Sequence, residues 1–137
     1  MIKVIAGAKG TGKTAQLVDD INDQSNQDNN NIVCIQRGDR LNRLLKYKIR
    51  LIDIDSYSVI GFDQLLSFIA GIYAKDFDLT HIYIDSIFKV TRDEDIDAFS
   101  AFLDKLDVFA SENDIVVTIV YSSDSVNLSD KIRKYSW

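Results

Sequence analysis

A glycine-rich segment near the start of the chain has the residue types and the spacing needed to hold phosphate groups. Residues 7–14, here called the glycine-rich loop, read GAKGTGKT and fit the pattern G-x-x-x-x-G-K-[ST]. In that pattern backbone N–H groups surround the phosphates, the lysine reaches their outer oxygens and the final hydroxyl binds Mg²⁺. The predicted nucleotide-binding residues are Gly7, Ala8, Lys9, Gly10, Thr11, Gly12, Lys13, Thr14 and Ala15.

A second acidic position complements this loop. Asp85 ends the apolar run Ile82-Tyr83-Ile84, and a carboxylate delivered by a buried strand can hold Mg²⁺ directly or through water. We therefore expect Thr14 and Asp85 to be the metal ligands, and Lys13 and Asp85 to be the catalytic residues. An aspartate at a strand end also caps turns and helices, so it is the nearby loop that favours metal binding.

Five strands are predicted from short, β-branched apolar runs. Such runs are continuous rather than alternating, which is typical of strands that are buried on both faces of a parallel sheet. The predicted strands are Ile2 to Ala6, Ile32 to Gln36, Ile49 to Asp55, His81 to Asp85 and Ile115 to Tyr121.

Helical spacing of apolar residues occupies the segments between these strands. One helix follows Lys13 and ends before the polar stretch 25–31, and a second carries apolar residues from Phe62 to Tyr73. A third is predicted from about Asp93 to Glu112, with Thr91-Arg92-Asp93-Glu94 as a capping box and Ile96 facing inward. The segment from Gly38 to Lys48 fits either a short helix or a basic loop.

Strands that alternate with helices predict an α/β fold in three layers, α/β/α, with an open, mostly parallel five-stranded sheet. At 137 residues the chain is long enough for one such domain, spanning 1–137. Ligands of open α/β sheets lie beyond the carboxyl ends of the strands. The residues expected there, besides the glycine-rich loop, are Gln36 to Arg40, Asp53 to Ser56, Asp85, Ser86 and Ser122 to Asp124.

The glycine-rich loop together with Ile82-Tyr83-Ile84-Asp85 resembles the Walker A and Walker B motifs of the P-loop NTPases. Two predicted strands separate the motifs, and a later strand ends in Ser122 and Ser123, where proteins of the RecA-like branch often carry a γ-phosphate sensor. The chain is also similar to small stand-alone bacterial P-loop proteins described only as ATP-binding. The resemblance implies a RecA-like fold, with ATP and Mg²⁺ as ligands.

The chain departs from that branch directly after Asp85. Many of its ATPases carry a glutamate there that activates the attacking water, whereas this chain has Ser86. We expect a slow NTPase, for which Asp53, Asp55 or Gln36 could supply the missing group. Arg37 and Arg40 could face a phosphate or form part of a solvated loop.

The alternative is a nucleotide-gated regulatory or assembly module, in which ATP orders loops that an unknown protein partner recognises and is not efficiently hydrolysed. A homodimer is a further expectation. If the last strand lies between the first and the fourth, as in RecA-like sheets, the first strand is at an edge and invites pairing with a second copy.

Composition limits the remaining classes of function. No apolar run approaches the length of a membrane span, and the first residues lead straight into the glycine-rich loop, so we expect a soluble, cytoplasmic protein. The single cysteine, Cys34, fits a reducing compartment and a packing role. A net charge of −5 makes nucleic acid an unexpected partner, although the basic segment from Arg37 to Arg50 leaves a salt-sensitive nucleic-acid contact as a third hypothesis.

Overall fold

A computed structural model describes residues 1–122 and 129–137. Five strands and five helices form along these residues in the order β1-α1-β2-β3-α2-β4-α3-α4-β5-α5, and a single 3₁₀ turn, Ile54–Tyr57, follows the third strand. The strands are β1 (Ile2–Gly7), β2 (Ile32–Gln36), β3 (Arg50–Asp53), β4 (His81–Ile84) and β5 (Val116–Ser122). The helices are α1 (Lys13–Ser25), α2 (Phe62–Lys75), α3 (Ile87–Thr91), α4 (Ile96–Glu112) and α5 (Asp130–Arg133).

The strands form one sheet in the order β1-β5-β4-β2-β3, and every neighbouring pair is parallel. The predicted five-stranded α/β sheet is therefore confirmed. The last strand lies between the first and the fourth, which leaves β1 and β3 at the two edges. All five strands consequently end along one side of the sheet, where Gly7, Gln36, Asp53, Ile84 and Ser122 meet the loops that follow them.

Both faces of the sheet are covered, which explains the continuous apolar runs. In β2, Val33 and Ile35 pack on one face against α2, α3 and α4, whereas Ile32 and Cys34 pack on the other against α1. Cys34 is fully buried, and burial raises the pKa of its thiol. The predicted packing role of this cysteine is therefore confirmed.

The predicted third strand is too long at its end. β3 stops at Asp53, because the Asp53 carboxylate accepts hydrogen bonds from the amides of Asp55, at 3.0 Å, and Gly38, at 2.9 Å. This local bonding turns the backbone into the 3₁₀ turn. An aspartate that satisfies nearby amides competes with the strand in the way expected of its short side chain.

The predicted start of the long helix is wrong. Thr91 is the last residue of α3; its hydroxyl donates to the carbonyl of Ile87 at 2.9 Å and accepts from the amide of Asp93 at 3.2 Å, which lies before α4. Asp95 caps α4 instead, accepting from the amides of Asp97 and Ala98 at 2.9 and 3.2 Å. Ile96, predicted to face inward, is 37% exposed because the helix begins later than expected.

Residues 37–48 form a loop of consecutive turns, here called the basic loop, rather than a helix. Its anchor is Leu41, whose side chain is fully buried on the α1 face of the sheet and whose amide donates to the Gln36 side chain at 3.1 Å. Arg43, Lys46 and Lys48 are exposed on its outer side. The loop therefore has a fixed inner end and a charged outer surface.

The outer edge of β1 is partly paired by the end of the chain. The amide of Val4 donates to the carbonyl of Tyr135 at 2.7 Å, and the amide of Trp137 donates to the carbonyl of Val4 at 3.0 Å. Lys3 lies over the Trp137 ring at 4.8 Å. A second copy that paired with β1 would have to displace this segment. No helix among the described residues has the length and apolar character needed to cross a membrane.

Candidate functional site

The glycine-rich loop joins β1 to α1, and two of its glycines set its backbone conformation. Gly10 and Gly12 have φ of 83° and 82°, the left-handed conformation that favours glycine. Within the described residues the amides of positions 10–15 have no hydrogen-bond acceptor, and the regular helix bonds begin with the Gln16 amide, which donates to the carbonyl of Gly12. Unbonded amides at a helix N-terminus form a partial positive charge suited to an anion.

Two side chains fold over the loop. The Lys13 ammonium donates to the carbonyl of Ala8 at 2.6 Å, and the Thr11 hydroxyl donates to the same carbonyl at 2.7 Å. The approach is close at Gly7, where a Cβ would lie 2.9 Å from the Thr11 hydroxyl oxygen. Lys13 is 8% exposed, and burial, followed by the charge of Arg40, lowers its pKa. An ammonium has three donors, so one bond to Ala8 leaves others for a ligand.

Arg40 connects the two predicted metal ligands. Its guanidinium donates to both carboxylate oxygens of Asp85, at 3.1 Å each, and to the hydroxyl of Thr14 at 2.5 Å. Asp85 is 4% exposed, whereas the Arg40 side chain is 51% exposed. Thr14 and Asp85 are thus joined by one cation, the Arg40 guanidinium. The structure brings together the loop, the metal-ligand pair and a cation from the basic loop.

Lys13, Thr14 and Arg40 border a pocket of about 490 Å³ at the carboxyl end of the sheet. Residues that follow β1, β2 and β4 contribute to it together with the end of β5, as the rule for open α/β sheets predicts. Among the described residues, four cationic side chains, Lys9, Lys13, Arg40 and Lys89, line the pocket together with one carboxylate, Glu94. Its charge therefore suits a polyanion of phosphate size or larger.

Several predicted site residues lie elsewhere. Gln36 is buried and bonds the basic loop, and Asp53 caps the 3₁₀ turn. Arg37 donates to the carbonyls of Lys89 and Val90, at 2.5 and 2.8 Å, and pairs with Asp55. Arg37 therefore links the residue after β2 to the end of α3. Ser123 and Asp124 lie outside the described residues, whereas Ser122 lines the pocket.

Two features of the pocket were not anticipated from the sequence. Glu94, expected in a capping box, lies in the segment between α3 and α4 and faces the pocket instead. Ser86 adopts φ 59° and ψ 73°, a left-handed conformation that is uncommon for residues other than glycine. No spacing in the sequence marks either feature, because both depend on where the short helix α3 begins and ends.

Oxygen ligands and a shared cation position fit Mg²⁺. Mg²⁺ prefers a few carboxylate or hydroxyl oxygens, completed by water and by the phosphates of a nucleotide. The described residues contain no group of three or more His, Cys, Asp or Glu side chains that could hold a metal alone. Thr14 and Asp85 would therefore hold the ion only in part, and a bound polyphosphate would supply the other ligands.

Neither the models of known protein families nor the curated proteins with which the sequence was compared give a match. The function of this site has to be inferred from its own chemistry.

Proposed function

We propose that this chain is a Mg²⁺-dependent ATP-binding protein of the P-loop NTPase superfamily, RecA-like branch, with slow NTPase activity. The observation that carries the proposal is the set of amides at positions 10–15, which have no acceptor among the described residues and lie beside the buried Lys13 at a cationic pocket. The position of β5 between β1 and β4 supports the RecA-like assignment. The choice of ATP rests on the resemblance of the two motifs.

Phosphate binding follows from the local charges. The amides at the start of α1 and the Lys13 ammonium offer donors to the phosphate oxygens, and the positive end of the helix favours negative charge. Lys13 and Arg40 repel each other in the absence of an anion, which is one cause of the lowered pKa of Lys13. A bound polyphosphate would lie between these cations and relieve that repulsion.

Thr14 and Asp85 would hold the metal ion. When bound, Mg²⁺ would neutralise charge on the outer phosphates. The buried Asp85 carboxylate is held by Arg40 and also accepts a long contact from the Ser86 hydroxyl at 3.4 Å. Through Arg40, the carboxylate is joined to the Thr14 hydroxyl.

Slow hydrolysis follows from the lack of a water-activating carboxylate directly after Asp85. Among the described residues, Glu94 is the carboxylate that lines the pocket, and it lies on an exposed connecting segment. A base that is not fixed by surrounding contacts orients water poorly. We therefore assign the chain low turnover and Glu94 the role of candidate base.

A nucleotide-gated module is the second candidate function, and Arg40 is the observation that favours it. This residue joins the site to the basic loop, whose outer side chains Leu44 and Tyr47 are 51% and 101% exposed. A conformational change at Asp85 would alter the position of that surface, and a protein partner could recognise the altered surface. Single-turnover ATP hydrolysis with and without cell extract separates the two functions: turnover by the protein alone favours the NTPase.

Lys13→Ala tests the central proposal. We expect the variant to bind Mg-ATP at least about tenfold more weakly, because a charged hydrogen-bond donor to phosphate is lost. Isothermal titration calorimetry of both proteins measures the change. Lys75→Ala, which removes an exposed lysine at the end of α2, is the matched control and should bind as the unmodified protein does. Equal Mg-ATP affinity in Lys13→Ala and the unmodified protein would refute the assignment.

A further inference from the structure

One guanidinium occupies the position between the two groups that would hold Mg²⁺. We propose that Arg40 is the residue that distinguishes triphosphate from diphosphate: it holds Thr14 and Asp85 in the nucleotide-free site, and it moves to the terminal phosphate when Mg²⁺ takes these two ligands. The inference rests on the proposed function and assigns that site a specificity-determining residue.

Displacement of Arg40 follows from the hydrogen bonds that it makes. Its guanidinium uses both oxygens of the Asp85 carboxylate and the Thr14 hydroxyl, at 3.1, 3.1 and 2.5 Å. A Mg²⁺ ion bound directly to such oxygens lies much closer to them, at about 2.1 Å. Two cations cannot occupy one position, so direct coordination of Mg²⁺ by Thr14 and Asp85 would require the guanidinium to leave.

The pocket offers Arg40 a second set of acceptors when a nucleotide is bound. The side chain is half exposed and lines the same pocket as Lys13, so it can turn without unfolding its surroundings. Arg37, by contrast, is 15% exposed and tied to the end of α3. A planar guanidinium binds phosphate oxygens in pairs. Arg40 lines the pocket that would hold the polyphosphate, so the displaced guanidinium would bind the terminal phosphate there.

Nucleotide selectivity is the consequence. With a triphosphate, the bonds that Arg40 loses at Asp85 are replaced by bonds to the terminal phosphate. With a diphosphate that phosphate is missing, so the guanidinium is left without an equivalent partner and competes with the metal for Asp85. The site would consequently prefer Mg-ATP to Mg-ADP, and Arg40 would be the cause.

The first experiment measures metal binding without nucleotide. Mg²⁺ is titrated into the unmodified protein, Arg40→Ala and Arg43→Ala, with heat and the shift in Tm as readouts. Arg43 is exposed on the same basic loop and does not line the pocket, which makes it the matched control. Arg40→Ala should bind Mg²⁺ about tenfold more tightly than the other two proteins, because a charge-assisted competitor has been removed. Adding Asp85→Asn to Arg40→Ala should abolish the gain.

The second experiment compares Mg-ATP with Mg-ADP. The Kd of Mg-ADP divided by the Kd of Mg-ATP should fall about tenfold in Arg40→Ala and stay unchanged in Arg43→Ala. If Arg40→Ala unfolds because Asp85 has lost its partner, Arg40→Gln keeps a hydrogen-bond donor and takes its place. An unchanged Mg²⁺ affinity or an unchanged ratio overturns the proposal. Failure of the proposed function is separate, since it shows as equal Mg-ATP binding by Lys13→Ala and the unmodified protein.

Discussion

At the scale of single residues, the candidate site holds two positively charged side chains close together. Lys13 and Arg40 face one pocket, and the pKa of Lys13 is lowered by burial and by the charge of Arg40. Asp85 partly offsets this repulsion on the side of Arg40. Lys13 donates to the carbonyl of Ala8 and lines the pocket, so its remaining donors are available to an anion.

The backbone of Gly12 gives the first residue-scale prediction. Gly12→Ala should lower the free energy of unfolding by about 1 kcal/mol, because an L-residue is strained at φ 82°. A Cβ at Gly12 meets no other atom within 4 Å, so backbone conformation alone causes the loss. Urea unfolding followed by circular dichroism measures it.

Gly71→Ala is the matched control for that prediction. Gly71 lies inside α2, where a Cβ also meets nothing within 4 Å. Alanine is the better helix former, so this variant should be more stable by about 0.5 to 1 kcal/mol. Equal effects of the two substitutions would show that the left-handed conformation of Gly12 is wrong.

The sequence was informative about residues whose role is local. The turn between β1 and α1 was predicted at its observed place, because the glycines that mark it and the helix that starts at Lys13 are close together in the sequence. The sequence allows Arg40 either to face a phosphate or to belong to a solvated loop. Its contact with Asp85 joins the loops after β2 and β4, and no pattern along the chain fixes which side chain of a turn reaches across a sheet.

At the scale of the elements, the start of α4 depends on one carboxylate. Asp95→Ala should destabilise the protein by about 1 kcal/mol, since the amides of Asp97 and Ala98 lose their acceptor. Asp95→Asn retains an oxygen acceptor and should have a much smaller effect. Thermal unfolding of both variants provides the comparison, and identical losses in the two would argue against Asp95 as the cap.

The same helix shows why element boundaries were harder to predict than elements. Strands β2 and β4 were placed to within a residue, because a run buried on both faces is apolar throughout. The predicted capping box at 91–94 overlaps the end of α3. The apolar spacing that predicts α4 gives no sign of this short preceding helix. Thr91 bonds within α3, and α3 packs on the sheet. The capping box therefore does not form at the start of α4.

At the scale of the whole molecule, the edge of β1 is closed by the end of the chain. Deleting residues 135–137 should lower the free energy of unfolding by about 2 kcal/mol, because two backbone hydrogen bonds to Val4 are lost. The exposed edge should also increase self-association relative to the full chain. Analytical ultracentrifugation and thermal unfolding measure the two effects.

Tyr135→Phe separates edge pairing from side-chain docking. It keeps the backbone bonds of residues 135–137 and removes only the hydroxyl bond to the Asp104 carboxylate, which is 3.0 Å long. This variant should associate no more than the full chain does. Equal self-association of all three proteins would mean that the edge of β1 does not control pairing with a second copy.

The pairing of β1 with β5 has a consequence for protein synthesis. β1 is synthesised before the other four strands, yet its strand neighbour is β5, and the segment that pairs with its other edge follows β5. Contacts so distant in sequence form slowly and late. During translation, the strand that precedes the glycine-rich loop therefore lacks its partner strand, and its apolar residues stay available to chaperones until β5 has emerged.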